Sequence, residues 1–155
     1  MVKRIVSFEA ISDRVSALTI KINRLHSLKI VQVYMPTSEY DDEDVEEVYE
    51  TVEQVLQQKS AYYNMVIGDF NAKIGIASEH AAVFKGIGKW GTRGINKRGF
   101  RLLEFADANE LSITNTMFEK RTIRRWTWIS PDKNTKNEID FILTNRPQII
   151  TNFEV

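Results

Sequence analysis

Apolar residues alternate with polar ones over residues 14–22, RVSALTIKI, placing Leu18, Ile20 and Ile22 on one face. That period of two predicts a strand. Residues 28–35, LKIVQVYM, are richer in β-branched side chains and partly apolar on both faces, as expected of a central strand. Asn23-Arg24 and the polar residues up to Ser27 form the turn of a hairpin between the two, and the stretch ending at Phe8 is a further strand candidate. Pro36-Thr37-Ser38 stops the second strand. Val45, Val48, Tyr49, Val52, Val55 and Leu56 then recur at three- and four-residue steps, which predicts a helix over about 43–59 capped by Asp41 or Asp42. The acidic run Asp41 to Glu47 complements the helix N-terminus and is read as capping and a wet face rather than as a metal site.

Residues 61–68, AYYNMVIG, predict a strand with Met65, Val66 and Ile67 buried, followed by a long loop holding Gly75, Gly86, Gly88, Gly91 and Gly94. Asn96 is the expected N-cap of a second helix over about 97–109, with Phe100, Leu103, Phe105 and Ala106 apolar. Strands are expected at 111–116, 126–130 and 139–143, and IITNFEV begins another that runs to the end of the chain. Strands alternating with helices make the class α/β or α+β, in a single domain over residues 1–155.

At 155 residues and 18.0 kDa the chain is long enough for a real core, and 43% hydrophobic with 27% charged residues is ordinary for a globular protein. With no cysteine and only His26 and His80, disulfide scaffolds, cysteine–zinc sites and histidine-rich metal sites are excluded. A metal here would sit on oxygen ligands, which suits Mg²⁺, Ca²⁺ or Mn²⁺. Twenty-one basic residues balance 21 acidic ones, but residues 85–136 hold 12 basic against 5 acidic, a net of +7. That asymmetry points to an anionic partner, with a solvated basic face as the alternative. No apolar run approaches the roughly 18 residues of a membrane span. The N-terminus also lacks a secretory h-region, so no membrane partner and an intracellular location are expected.

Three short segments carry candidate chemistry. Val66-Ile67-Gly68-Asp69-Phe70-Asn71 runs from a buried strand into a place where period two puts Asp69 and Asn71 on the same side. A carboxylate there can orient or deprotonate a water while the amide holds that water or a phosphate oxygen. The same tetrapeptide is also a plain turn. Tyr34 closes a central strand before Pro36; its phenol suits a phosphate oxygen, or else its ring is buried and its hydroxyl wet. Asp140, between Ile139 and Phe141, needs an arginine, a histidine or backbone amides as partner.

Taken in chain order, Tyr34-Met35-Pro36, Gly68-Asp69-Phe70-Asn71-Ala72, Thr127-Trp128-Ile129-Ser130-Pro131-Asp132 and Asn137-Glu138-Ile139-Asp140-Phe141-Ile142 resemble the endonuclease/exonuclease/phosphatase superfamily, the deoxyribonuclease-I-like group that includes apurinic/apyrimidinic endonucleases. Within it they are most similar to the endonuclease domain of non-LTR (LINE-type) retrotransposons, whose many derived vertebrate copies include craniofacial development protein 2-like sequences. Gly91-Thr92-Arg93-Gly94, Asn96-Lys97-Arg98-Gly99, Leu102 to Phe105 and Asn115 to Phe118 look like the same branch, and the similarity runs from about Ile11 to Asn145. The Trp128–Asp132 segment favours this branch over phosphatases of inositol lipids or sphingomyelin.

The resemblance implies a two-sheet α/β sandwich, here a partial one without the first strands and the last strand. It also implies Mg²⁺-dependent cleavage of a phosphodiester in DNA by in-line attack of water, Mn²⁺ being the other suitable cation. Asp69 matches the aspartate that activates or positions the water, Asn71 the asparagine beside it, Tyr34 the tyrosine at the scissile phosphate, and Asp140 the aspartate that orients the catalytic histidine. Arg93, Asn96, Trp128 and Ser130 are candidates for gripping the substrate, and Asp69 is the metal-ligand candidate. The family's metal glutamate and its Ser-Asp-His segment find no match in this chain, and neither His26 nor His80 stands in a matching context. Impaired catalysis is therefore expected, the alternative being an inactive remnant that binds nucleic acid through Arg93, Arg98, Arg121, Arg124 and Arg125, or binds protein. An open sheet edge implies marginal stability or self-association, and family membership implies a nuclear location.

Overall fold

In the computed structural model, residues 4–58, 61–75 and 83–153 are described. The amino-terminal half alternates as its periodicity demands. Strands β1 (Ile5–Ala10), β2 (Val15–Lys21) and β3 (Ser27–Tyr34) form an antiparallel meander, with Leu18 opposite Ile30 and Val15 opposite Val33. Helix α1 (Asp42–Gln57) begins where Asp41 accepts a hydrogen bond from the Asp44 N–H, the capping role assigned to the acidic run. It carries the chain over to β4 (Tyr63–Asp69), which lies parallel to β3, a pairing that requires such a crossover. Helix α2 (Lys97–Ala108) starts at the Asn96 cap. Strands β5 (Ser112–Ile113) and β8 (Asp140–Thr144) complete a six-stranded sheet in the order β1-β2-β3-β4-β8-β5, while β6 (Trp128–Ile129) and β7 (Lys136–Asn137) form a separate two-stranded ribbon.

Both helices cover one face of the sheet. Val15, Ala17, Val31, Val33, Val66, Phe141 and Leu143 meet Val45, Val48, Val52 and Val55 of α1 and Leu102, Leu103, Phe105 and Ala106 of α2 in one continuous buried cluster. The helices also grip each other: the Tyr49 and Phe105 rings lie 4.7 Å apart, and Arg101 donates both Nε and Nη2 to the Glu46 carboxylate at 2.6 Å. Lys29 points into this side and is buried, its ammonium donating to the carbonyls of Val55 (2.6 Å) and Gln58, so that it caps the C-terminus of α1. The alternate residues, Leu18, Ile20, Leu28, Ile30, Met65, Ile67 and Ile142, line the opposite face and are only partly covered. At the outer edge, β1 leaves Ile5, Val6 and Phe8 more than 60% exposed.

Met65 and Ile67, expected to be buried with Val66, are only partly covered, and three expected elements change. The segment 111–116 forms only the two-residue β5 and then a 3-10 turn at Thr114–Met117, because the Thr116 hydroxyl donates to the Ile113 carbonyl and competes with strand pairing. The strand expected at 126–130 is the two-residue β6, paired with β7, which carries no apolar signal of its own. Residues 147–149 are a 3-10 turn and 150–153 are not strand; Glu154 and Val155 lie outside the described residues. Among the described residues no helix is long and apolar enough to cross a membrane.

Candidate active site

Three of the four residues expected to do chemistry stand side by side. In the sheet register Tyr34, the last residue of β3, pairs with Asp69, the last residue of β4, and Asp69 pairs with Asp140, the first residue of the antiparallel β8. Alternation places all three on the face away from the helices, since their neighbours Val33, Gly68 and Phe141 lie on the covered side. With strands about 4.8 Å apart, the row spans two strand spacings at one end of the sheet. Gly68 permits this. A Cβ there would stand 1.9 Å from the Val33 carbonyl oxygen, so the backbone that approaches Gly68 is that of β3 rather than a ligand's.

Asn71 is held just past the strand. Its φ of 48° is left-handed, a conformation asparagine tolerates. Its backbone N–H donates to Asp69 Oδ1 at 2.8 Å, and its side-chain Nδ2 donates to the Met35 carbonyl at 2.8 Å. The Met35 N–H in turn donates to the Asp69 carbonyl, tying the ends of β3 and β4 together. One amide hydrogen of Asn71 is thus already engaged. Burial pushes the Asp69 carboxyl above the usual carboxylate range; the Asn71 N–H pulls it down, and the charge of Asp140 adds to the rise. A half-buried carboxylate beside a second one holds a proton more readily than a free one.

The ionised form of Asp69 therefore opposes folding. With its folded pKa raised above the unfolded value, this penalty is absent below the unfolded pKa of about 3.9 and grows as pH rises through it towards the folded value. Asp69→Asn, which keeps an acceptor for the Asn71 N–H, is expected to raise Tm by a few degrees at pH 7. The gain should vanish below about pH 4, where the wild-type carboxyl is neutral as well. A gain that persists unchanged into acid would contradict this account; thermal melts across pH decide.

Asp140 is positioned by side chains that sequence reasoning did not single out. Thr127 Oγ1 accepts from the N–H groups of Ile139 (3.1 Å) and Asp140 (3.2 Å). Asn115, fully buried, donates to the Asp140 carbonyl (3.0 Å) and to Glu138 (3.2 Å), and accepts from the Ile142 N–H (3.0 Å). Glu138 faces Arg125 at 3.4 Å, and each is only 2% exposed. Arg125 also donates to the carbonyls of Asn115 (3.0 Å) and Phe118 (2.6 Å). Burial pushes Glu138 upward, and Arg125 and then Asn115 pull it back.

The other candidates are placed differently. Asn96 Oδ1 accepts from the N–H groups of Gly99 (2.8 Å) and Lys73 (3.0 Å), so its side chain caps α2 and pins the segment leaving Asn71. Trp128 is exposed on the ribbon. Ser130 closes the turn after it, donating to Asp132 and accepting from the Thr135 N–H at 2.9 Å. Arg93 is exposed on a loop. Arg125, expected on a nucleic-acid surface, is instead inside the protein as the counter-ion of Glu138. Arg98 is likewise engaged with Asp42 (3.2 Å) and the carbonyls of Tyr40 and Asp41. His26 packs on Tyr62 at 4.2 Å, and His80 lies outside the described residues. Among the described residues no three His, Cys, Asp or Glu side chains converge as a metal group.

No family model matches the chain. It is 36% identical over 119 residues to craniofacial development protein 2 of Bos taurus, an alignment covering 76% of this chain and 19% of that protein. It is 32% identical over 134 residues to craniofacial development protein 2 of Tragulus javanicus, covering 85% of this chain and 22% of that protein. Over this stretch the chain is a homologue of craniofacial development protein 2. It spans about a fifth of the length of these relatives. Among solved structures its fold matches the endonuclease domain of TRAS1, a telomere-specific non-LTR retrotransposon, with a TM-score of 0.57 at 17% identity, covering 85% of this chain and 50% of that one. It also matches the 3′ phosphatase NExo from Neisseria bound to a product DNA hairpin, with a TM-score of 0.53 at 17% identity, covering 88% and 53%. The fold of the chain is thus the deoxyribonuclease-I-like fold of these two neighbours.

Proposed function

We propose that this chain carries the reaction centre of a hydrolase that cuts phosphodiesters in DNA. The observation that supports the reading most is the row Tyr34–Asp69–Asp140, laid across three adjacent strands at one end of the sheet. Asp69, raised by burial, is suited to orient a water and take its proton. Tyr34, half-exposed at its strand end, offers a phenol to a phosphate oxygen. The unengaged amide hydrogen of Asn71 serves the same charge. Asp140 lies next in the row, fixed by Thr127 and Asn115.

The donor set fits a hard divalent cation in a limited sense. Mg²⁺ typically takes one or two carboxylates plus substrate phosphates, and Asp69 and Asp140 are two neighbouring carboxylates whose mutual repulsion a cation would relieve. These two residues would hold it, Mn²⁺ serving equally, and bound there it would supply positive charge to the phosphoryl oxygens.

The test is plasmid nicking in Mg²⁺. Asp69→Ala and Asp140→Ala are each expected to lower the rate by about 10²–10⁴, with Asp69→Asn as low as Asp69→Ala despite its higher Tm. Equal background in wild type and Asp69→Ala would remove catalysis and leave a nucleic-acid-binding domain.

A further inference from the structure

Among the described residues the six-stranded sheet ends in β5 on one side and in β1 on the other. β5 is two residues long, whereas β1 runs for six and pairs only with β2. An open edge of that length offers N–H and C=O groups to another chain. Its side chains are exposed as well, with Ile5, Val6 and Phe8 each more than 60% accessible.

A bulge decides what this edge can pair with. Ile5 lies opposite Ile20 while Ser7 lies opposite Thr19, so Val6 is an extra residue. In a regular strand Arg4 and Glu9, an odd number of residues apart, would point to opposite faces. The extra residue brings them to one face. The Lys21 N–H donates to the Arg4 carbonyl and Glu9 pairs with Ala17, which sets both on the helix-covered side. By the same shift Ile5 and Phe8, opposite Ile20 and Leu18, fall together on the other side. β1 is therefore its own complement. Laid antiparallel against a second β1 about a two-fold axis normal to the sheet, Arg4 meets Glu9 of the second copy and Ile5 meets Phe8, each pair on a single face. Sliding the copies by one residue either way sets Arg4 against Phe8 or Ala10 on mismatched faces, so the register is specified. Arg4 and Glu9 are exposed, and among the described residues neither belongs to an ion pair.

We infer that the chain forms a two-fold dimer with a second copy of itself through antiparallel β1–β1 pairing in this register, joining two six-stranded sheets into one. An isologous contact repeats each pair, so the interface holds two Arg4–Glu9 and two Ile5–Phe8 cross-strand pairs beside the new backbone hydrogen bonds. An axis normal to a sheet preserves its faces. The Tyr34–Asp69–Asp140 rows of both copies therefore lie on the same side of the joint sheet, the side that Ile5 and Phe8 share. The inference does not depend on the phosphodiester reading.

Sedimentation equilibrium of the chain over a range of concentrations tests it. Wild type is expected to show a monomer–dimer equilibrium that weakens in high salt, where exposed ion pairs are screened. Arg4→Glu sets two acidic side chains against each other at both ends of the contact, and Glu9→Arg sets two basic ones. Each variant alone is expected to raise the dissociation constant by about tenfold or more. An equimolar mixture of the two should dimerise again, because every cross-copy pair then joins opposite charges. Phe8→Ser should weaken the dimer while leaving its salt dependence in place. All three positions are exposed, and circular dichroism checks that each variant keeps its fold. A wild type that is monomeric at every concentration, single variants that associate as wild type does, or a mixture no tighter than its components overturns the proposal.

Discussion

Gly68→Ala is expected to abolish the native fold, whereas Gly94→Ala is expected to be tolerated. Both glycines have positive φ, 140° and 86°, so each alanine meets backbone strain of roughly 1–3 kcal/mol. The difference is space. Around a Cβ on Gly94 nothing stands within 4 Å, while one on Gly68 would sit 1.9 Å from the Val33 carbonyl oxygen and 2.9 Å from its carbon. Relief requires pushing β4 away from β3, which breaks the register that holds Tyr34 beside Asp69. Added to the strain, this amounts to several kcal/mol in a domain whose whole stability is about 5–15 kcal/mol. Urea unfolding of the two variants side by side reads the contrast, and similar midpoints would refute the steric argument.

Arg125→Met is the second large effect. Removing the arginine leaves the Glu138 carboxylate buried without a counter-charge, and breaking such a pair costs about 3–5 kcal/mol. The loss must depend on pH. Glu138 is already raised above the ordinary range by burial, and losing Arg125 raises it further. The penalty is absent where the carboxyl is protonated in both folded and unfolded chains, and it grows as pH climbs above the unfolded value of about 4.3. Arg125→Met should therefore lie closest to wild type in acid and farthest from it near pH 8. Adding Glu138→Leu should recover much of the difference at pH 7. A single variant equally destabilised at pH 4 and pH 8 would show that Arg125 acts through its carbonyl bonds to Asn115 and Phe118 instead.

The parts of the molecule legible in the chain are those where one physical cause acts along one element. The valines of α1 and the alternating residues of β2 and β3 each report burial on a single face, and Asp41 and Asn96 fall where orphan N–H groups need an acceptor. The grouping of Tyr34, Asp69 and Asp140 followed from residue type at strand ends once the resemblance had ordered them. Arg125 and Glu138 stayed hidden because charge is ordinarily a surface signal, and their burial depends on meeting each other across 13 residues. Asn115 and Thr127 were equally opaque: a buried amide and a hydroxyl reveal their partners only when β8 is in place. The ribbon of β6 and β7 is only half legible, since Lys136-Asn137 has no apolar alternation to mark it as a strand.

The core and the proposed chemistry share the same strands but not the same side of them. In β3, Val31 and Val33 serve cohesion while Tyr34 faces the reaction row; in β8, Phe141 and Leu143 serve it while Asp140 does not. Selection on folding and selection on the proposed reaction thus fall on interleaved sets of codons, and the two can wear at different rates. A descendant that has lost Asp69 and Asp140 would keep its shape, whereas one that has lost Val33 would lose both. In a lineage of such copies, conserved valines with scattered aspartates would mark a domain kept as a scaffold, and aspartates held as firmly as valines would mark one still kept for its chemistry.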